Sequence, residues 1–268
     1  MQQKINYLLH LADSNLVLSQ RNAEWCGHGP VLEQDIAITN ITLDLLGQAR
    51  NFYQYAATLI NQSTGQPGFL APSPLERAGG EVTEDSLAYL RTEREFKNLL
   101  LCELPKGDWA VTVLRQFFYS AFAQLLYTEL AKSGDQQIAA IAEKSLKEIN
   151  YHVRWSSEWV IRLGDGTEES HNRMQNACKE LWPYSGEMFM PADYEKEAGI
   201  DFDKLKDQWL QKVKLVFEEA ALAPSPLERA GGEVFMHTGG KTGVHTEHLG
   251  FMLSEMQYLQ RSYPGAEW

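Results

Sequence analysis

Apolar residues recur three and four positions apart through most of the chain, and the strict alternation of a half-buried strand is nearly absent. This spacing predicts an all-α fold, because it places apolar side chains on one face of a helix. The predicted long helices cover about residues 3 to 22, 30 to 62, 84 to 103, 109 to 132 and 135 to 163, and shorter ones lie near 168 to 182, 201 to 220 and 247 to 262. The lengths favour a long four-helix bundle with additional C-terminal helices.

Glycine and proline separate these segments. Gly27, Gly29 and Pro30 follow the first helix, Pro105 and Gly107 precede the fourth, and such residues end or begin helices. In the first helix a buried stripe is expected, and the second helix is unusually apolar along its length. The stripe comprises Ile5, Leu8, Leu9, Leu16 and Leu18, and the apolar residues of the second helix include Ile36, Ile38, Leu43, Leu45, Leu46, Phe52, Tyr53 and Tyr55.

Thirteen residues, 70–82, recur identically as 222–234. An architectural repeat would extend further and would diverge, and nothing flanking either copy is similar. We interpret the copies as recent insertions. Exposed loops tolerate added length, so the sequence predicts inserted surface loops near 67–83 and 222–235 within a single helical domain over 1–268.

Composition limits the classes of partner. The formal charge of -12 and the pI near 5.1 argue against a nucleic-acid partner, since binding of a phosphate backbone needs clustered Lys and Arg. The same charge repels anionic membranes, and no stretch reaches the roughly 18 apolar residues of a spanning helix. The N-terminal residues lack the pattern of a secretory signal. A cytoplasmic protein without a membrane or nucleic-acid partner is therefore expected.

The helical bundle raises the question of a di-iron centre. Such centres take a Glu from each of two helices and a Glu-x-x-His from each of two others, because that spacing directs both side chains to one ion pair. The long helices contain no Glu-x-x-His. The nearest pattern places Tyr151 three residues and His152 four residues after Glu148, and the second helix offers Asp44 but no histidine. A hydrogen-bonded helix pair explains such residues at least as well.

Two further clusters carry polar or aromatic side chains. A turn over residues 24–30 contains Trp25 and His28, and residues 238–248 hold a Gly-Gly-Lys and two histidines one turn apart. The second cluster lacks the spacing of a phosphate loop, and too few ligands stand together for a structural zinc site. Helix capping and contact with another protein chain are the roles that remain for these residues. The predicted interface residues are Trp25, His28, Lys241, His245, Glu247 and His248.

Several segments together resemble a known family, the structural C subunits of bacterial phenylacetyl-CoA 1,2-epoxidases. They are residues 16–21, 24–28, 43–51, 147–152, 238–241 and 245–261, and the resemblance extends over nearly the whole chain outside the two insertions. It implies a ferritin-like bundle within a complex that epoxidises the aromatic ring of phenylacetyl-CoA in aerobic phenylacetate catabolism, with dioxygen and NADPH. It further implies that a sister subunit holds the two irons and that this chain has no cofactor.

The resemblance also assigns positions. Where the catalytic sister has metal ligands, this chain has Leu45, Gln48, Glu148 and Tyr151, so metal is not expected here. The bundle centre should instead hold a buried polar network, and its predicted members are Asp44, Arg50, Glu148 and His152.

The partners implied are the catalytic di-iron subunit, other epoxidase subunits and a reductase, in a hetero-oligomer. Two alternatives stay open: an autonomous di-iron carboxylate oxygenase, and a helical acyl-CoA-binding protein.

Overall fold

Four long helices form the centre of the molecule. The computed structural model describes residues 1–64, 81–223, 235–263 and 266, and these contain helices but no strand. The all-α prediction is therefore confirmed for this part of the chain. The predicted loops near 67–83 and 222–235 fall mostly on residues outside it. The long helices are α1 (Gln2–Ala23), α2 (Leu32–Ser63), α5 (Trp109–Leu130) and α6 (Gln136–Gly164).

Helices α1 and α2 pack along each other as one hairpin, and α5 and α6 as a second. One long connection joins the two hairpins, which is the arrangement of ferritin-like bundles. Side-chain caps begin α5 and α6, because the Asp108 carboxylate accepts from the Val111 N–H at 3.0 Å and Asp135 accepts from Gln137 at 3.0 Å. The predicted limits of the long helices agree with these bounds within two residues.

Helices α1 and α5 lie at the centre and are buried on nearly every side. The predicted α1 stripe is confirmed, since all five of its side chains are buried in the hydrophobic core. Helix α1 also buries polar side chains, which a helix on the outside of a bundle would turn to water. These are His10, Asp13, Ser14, Asn15, Ser19 and Asn22.

The prediction of one helix over 84–103 was wrong. The segment forms α3 (Glu84–Tyr89), a 3₁₀ turn at Glu93–Glu95 and α4 (Leu100–Glu103). Its backbone donors are taken by side chains from elsewhere. The Lys97 N–H donates to the Asp13 carboxylate at 2.7 Å, and the Leu100 N–H donates to Glu187 at 2.8 Å. These tertiary acceptors replace the carbonyls of a continuous helix.

The remaining helices pack around the second hairpin and along the connection between the two hairpins. The predicted segment 247–262 is interrupted at Gln257, whose side-chain amide donates to the carbonyls of Ala88 and Arg91, both at 3.0 Å. The helices are α7 (Glu168–Leu181), α8 (Phe202–Glu219), α9 (Glu247–Met256) and α10 (Tyr258–Ser262).

Candidate functional site

Two of the four positions assigned to lost metal ligands, Gln48 and Glu148, are in contact between α2 and α6. The Gln48 side-chain amide donates to a Glu148 carboxylate oxygen at 2.9 Å. Leu45 is fully buried one turn before Gln48 and belongs to the hydrophobic core. A buried aliphatic side chain therefore lies one helical turn from an amide–carboxylate pair whose glutamate is half-buried.

A second polar pair lies one turn further along the same two helices. His152 Nε2 and an Asp44 carboxylate oxygen are 3.0 Å apart. His152 is fully buried, whereas about a third of the Asp44 side chain, 35%, is exposed. This carboxylate therefore connects the buried imidazole to the surface of α2.

Tyr151 and Arg50 do not join these pairs. The Tyr151 side chain is 38% exposed, and the guanidinium of Arg154 lies over its ring. Arg50 is exposed, and its Nε atom lies 3.4 Å from the Glu84 carboxylate. Its predicted membership of the buried network was wrong, because its position on α2 turns toward water. In the structure the polar side chains form two separate pairs, Asp44 with His152 and Gln48 with Glu148.

This donor set does not fit two iron ions. A di-iron carboxylate site takes several carboxylates and an imidazole on each metal, while Leu45 offers no donor atom and Gln48 presents an amide N–H to Glu148. In the part of the chain that the structure describes, no three His, Cys, Asp or Glu side chains form a group able to hold a metal.

A buried ion pair that the sequence pattern did not reveal lies between α1 and the connection after α3. The Asp13 carboxylate accepts from the guanidinium of Arg91 and from the Tyr53 hydroxyl at 2.5 Å. Asp13 and Arg91 are both almost fully buried. The Asp13 charge raises the pKa of Arg91, although burial alone would lower it. Asp13 and Arg91 are 78 residues apart in the sequence, so no local sequence pattern indicated that they form a pair.

Lys241 and His245, two predicted interface residues, are instead buried inside the chain. The Lys241 ammonium pairs with the Glu195 carboxylate at 2.9 Å, and His245 Nδ1 lies 2.7 Å from Glu103. Burial lowers the pKa of His245, but the hydrogen bond and charge of Glu103 outweigh it and leave the pKa raised. Their prediction as interface residues was wrong, because buried carboxylates on the other elements hold them.

The other predicted interface residues differ in exposure. Trp25 is half-buried and donates to the Thr112 hydroxyl at 2.8 Å, and His28 is exposed in the turn that follows. Glu247 is exposed in the first turn of α9, and the backbone carbonyl of half-buried His248 accepts from Arg21. These four side chains stay predictions, since no partner chain is present to test them.

An exposed apolar surface on α2 was not predicted, although the unusual apolarity of this helix in the sequence was a signal for it. Four large aliphatic side chains of α2 remain 40% to 72% exposed. Their spacing of four, seven and three residues keeps them on one side of the helix, over roughly 21 Å. We name this set the α2 outer face; it comprises Leu32, Ile36, Leu43 and Leu46.

Known proteins resemble this chain over its full length. Residues 1–268 match the family model described as phenylacetic acid catabolic protein. The chain is 46% identical over 273 residues to the C subunit of 1,2-phenylacetyl-CoA epoxidase from Escherichia coli strain K12, with 100% of both chains covered. Among the described helices, none is long and apolar enough to cross a membrane. The resemblance predicted from the motifs is confirmed, and the chain belongs to the phenylacetic acid catabolic protein family.

Proposed function

We propose that this chain is a non-catalytic structural subunit of a multicomponent phenylacetyl-CoA 1,2-epoxidase. In this role it pairs with a di-iron catalytic subunit and stabilises it during aerobic phenylacetate catabolism. The relative named as the C subunit of that epoxidase supports membership of such a complex. The non-catalytic assignment rests on the hydrogen bond between Gln48 and Glu148 beside buried Leu45.

The chemistry of that pair supports the assignment. Iron in this type of site needs carboxylate and imidazole donors, and an aliphatic side chain supplies neither. The Gln48 amide directs an N–H at the Glu148 carboxylate, which satisfies one carboxylate oxygen without a metal. The two irons, the dioxygen chemistry and the electrons from an NADPH-dependent reductase then belong to the other components of a cytoplasmic hetero-oligomer, with no nucleic acid or membrane among its partners.

The α2 outer face is the surface that we assign to the catalytic partner. Large exposed apolar patches on soluble proteins mark interaction sites, and burial of an aliphatic side chain of this size contributes about 1.5–3 kcal/mol.

The non-catalytic role is tested by removing both acids of the site. The double variant Asp44→Asn and Glu148→Gln, co-expressed with the other subunits, should leave the iron content and the epoxidation rate per purified complex unchanged. Co-purification of the variant with its partners shows that the complex has assembled. Loss of iron or of turnover in an assembled complex would overturn the assignment.

The pairing surface is tested by adding a charge to it. Leu43→Glu should weaken co-purification with the catalytic subunit at least about tenfold, because it buries an unpaired carboxylate in the contact. The matched control is Leu215→Glu, since Leu215 is similarly exposed, at 62%, on α8. Equal effects of the two substitutions would reject the α2 outer face as the pairing surface.

A further inference from the structure

Arg115 on α5 is a buried arginine whose guanidinium is only partly hydrogen-bonded. Its side chain has no exposed surface. The Nη1 atom donates to the backbone carbonyls of Leu104 at 2.7 Å and Pro105 at 2.9 Å. Among the described residues, however, the Nε and Nη2 atoms of Arg115 have no hydrogen-bond partner. These two atoms lie on one edge of the guanidinium, and buried donors of this kind are nearly always paired.

Arg91, which is also buried, shows what such a side chain requires. Its guanidinium has the Asp13 carboxylate as its counter-ion, and its Nε atom donates to the Leu87 carbonyl. A buried guanidinium without a counter-ion is strongly destabilising, because nothing replaces its lost hydration. Within the described ranges, no carboxylate forms an ion pair or hydrogen bond with Arg115. Arg115 therefore lacks both an acceptor and a counter-ion from the protein residues described.

The ionisable groups around Arg115 do not neutralise it. Burial, and then the positive charge of Arg21 on α1, lower the pKa of Arg115 to about 10, so the guanidinium is still protonated at neutral pH. The Glu24 carboxylate pairs with Arg21 at 2.8 Å, and Glu180 is exposed. Burial raises the pKa of the Cys102 thiol, which therefore stays uncharged. The charge of Arg115 is left without an adjacent opposite charge among these groups.

We propose that the Nε and Nη2 donors of Arg115 bind a small monovalent inorganic anion of the size of chloride. Two parallel N–H groups on one edge of a guanidinium form the fork that binds anions. An anion supplies the acceptor and the counter-ion together, whereas a water molecule satisfies the N–H groups and leaves the charge unpaired. Because Arg115 has no exposed surface, the chain encloses the ligand, and a carboxylate of a partner protein does not reach it.

The test is thermal unfolding of the full chain in sodium chloride and in sodium gluconate at equal ionic strength. Gluconate is too large to be enclosed beside Arg115. An ion that binds only the folded chain stabilises it, so chloride should raise the unfolding midpoint by at least about 2 °C relative to gluconate. Arg115→Met removes the charge and the donors and should abolish this difference. The matched control is Arg50→Met, the same substitution at an exposed position, which should keep it. A chloride effect of equal size in the wild type and in folded Arg115→Met would overturn the proposal, as would equal midpoints of the wild type in the two salts.

A measurement on the wild type alone does not depend on whether Arg115→Met folds. Bromide has the charge of chloride and is only slightly larger, and its anomalous scattering identifies it in a crystal. Crystals of the full chain grown in sodium bromide should show an anomalous peak at hydrogen-bonding distance from both Nε and Nη2 of Arg115. Density for water alone at these two donors would contradict the proposal.

Discussion

At the scale of single residues, Asp13 carries a buried carboxylate whose donors all come from other elements. Arg91 and the backbone N–H of Lys97 lie in the connection after α3, and Tyr53 lies on α2. A buried charge is tolerated when it is paired and fully hydrogen-bonded. The Asp13 cluster therefore joins the first hairpin to the connection that leads to the second.

Asp13→Asn should destabilise the chain by about 3–5 kcal/mol, because it leaves the Arg91 guanidinium buried without its counter-charge. Urea unfolding monitored by circular dichroism measures this loss. Arg50→Gln is the control. It removes the exposed contact with Glu84 and should change the free energy of unfolding by less than about 1 kcal/mol. A loss below about 1 kcal/mol for Asp13→Asn would contradict the interpretation.

Gln48→Glu tests the amide–carboxylate pair at the same scale. Two carboxylates would then face each other, and their repulsion raises the pKa of one of them. A raised carboxyl pKa in the folded state costs stability above that pKa, and the loss is recovered as the pH falls. We expect a loss of about 1–3 kcal/mol at pH 7 that shrinks at pH 5. The double variant Gln48→Glu and Glu148→Gln restores one amide and one carboxylate, and should recover most of the loss. If Gln48→Glu matched the wild type at both pH values, Gln48 and Glu148 would not be in contact.

At the scale of elements, periodicity predicted the long helices well because each buries one continuous apolar side. It failed over 84–103, where the same apolar spacing continues but the backbone donors go to Asp13, Ser14 and Glu187. Those acceptors lie about 85 residues away on either side, so no local window contains them. The prediction of Lys241 and His245 as interface residues was wrong for the same reason, since their carboxylate partners lie in distant segments.

The contact between His245 and Glu103 predicts a pH dependence for the docking of the C-terminal helices. The pKa of His245 is raised in the folded chain. Its contribution to stability is therefore complete below the unfolded value of about 6.5 and is lost as the pH rises through the folded value. The stability advantage of the wild type over His245→Gln should therefore be larger at pH 6 than at pH 9.

His10 gives the opposite pH dependence of stability, because burial lowers its pKa. Its contribution is present above the unfolded value and is lost as the pH falls. Since both proteins contain His10, the difference between them isolates His245. Thermal unfolding of the two chains across this pH range measures it. A difference that is constant or that grows with pH would show that His245 gains no proton affinity on folding.

At the scale of the whole molecule, the motifs predicted the family and the bundle. Which residues of α2 are exposed could be identified only from the three-dimensional structure. The apolar character of α2 was plain in the sequence, yet periodicity alone could not separate Leu43 and Leu46, which are exposed, from Leu45, which is buried. Helix phase relative to α1 decides that difference. The paired positions Asp44–His152 and Gln48–Glu148 likewise required the register between α2 and α6.

The α2 outer face also predicts the thermodynamics of pairing with the catalytic subunit. Since this surface is mainly aliphatic, pairing should show a negative heat-capacity change, the signature of apolar burial. Its affinity should change less than about threefold between roughly 0.05 and 0.5 M salt, because screening acts on charges. Titration calorimetry at several temperatures and salt concentrations measures both. A steep loss of affinity with salt would instead assign the contact to ion pairs, and the acidic surface of this chain, with its net charge of -12, would then be the place to seek them.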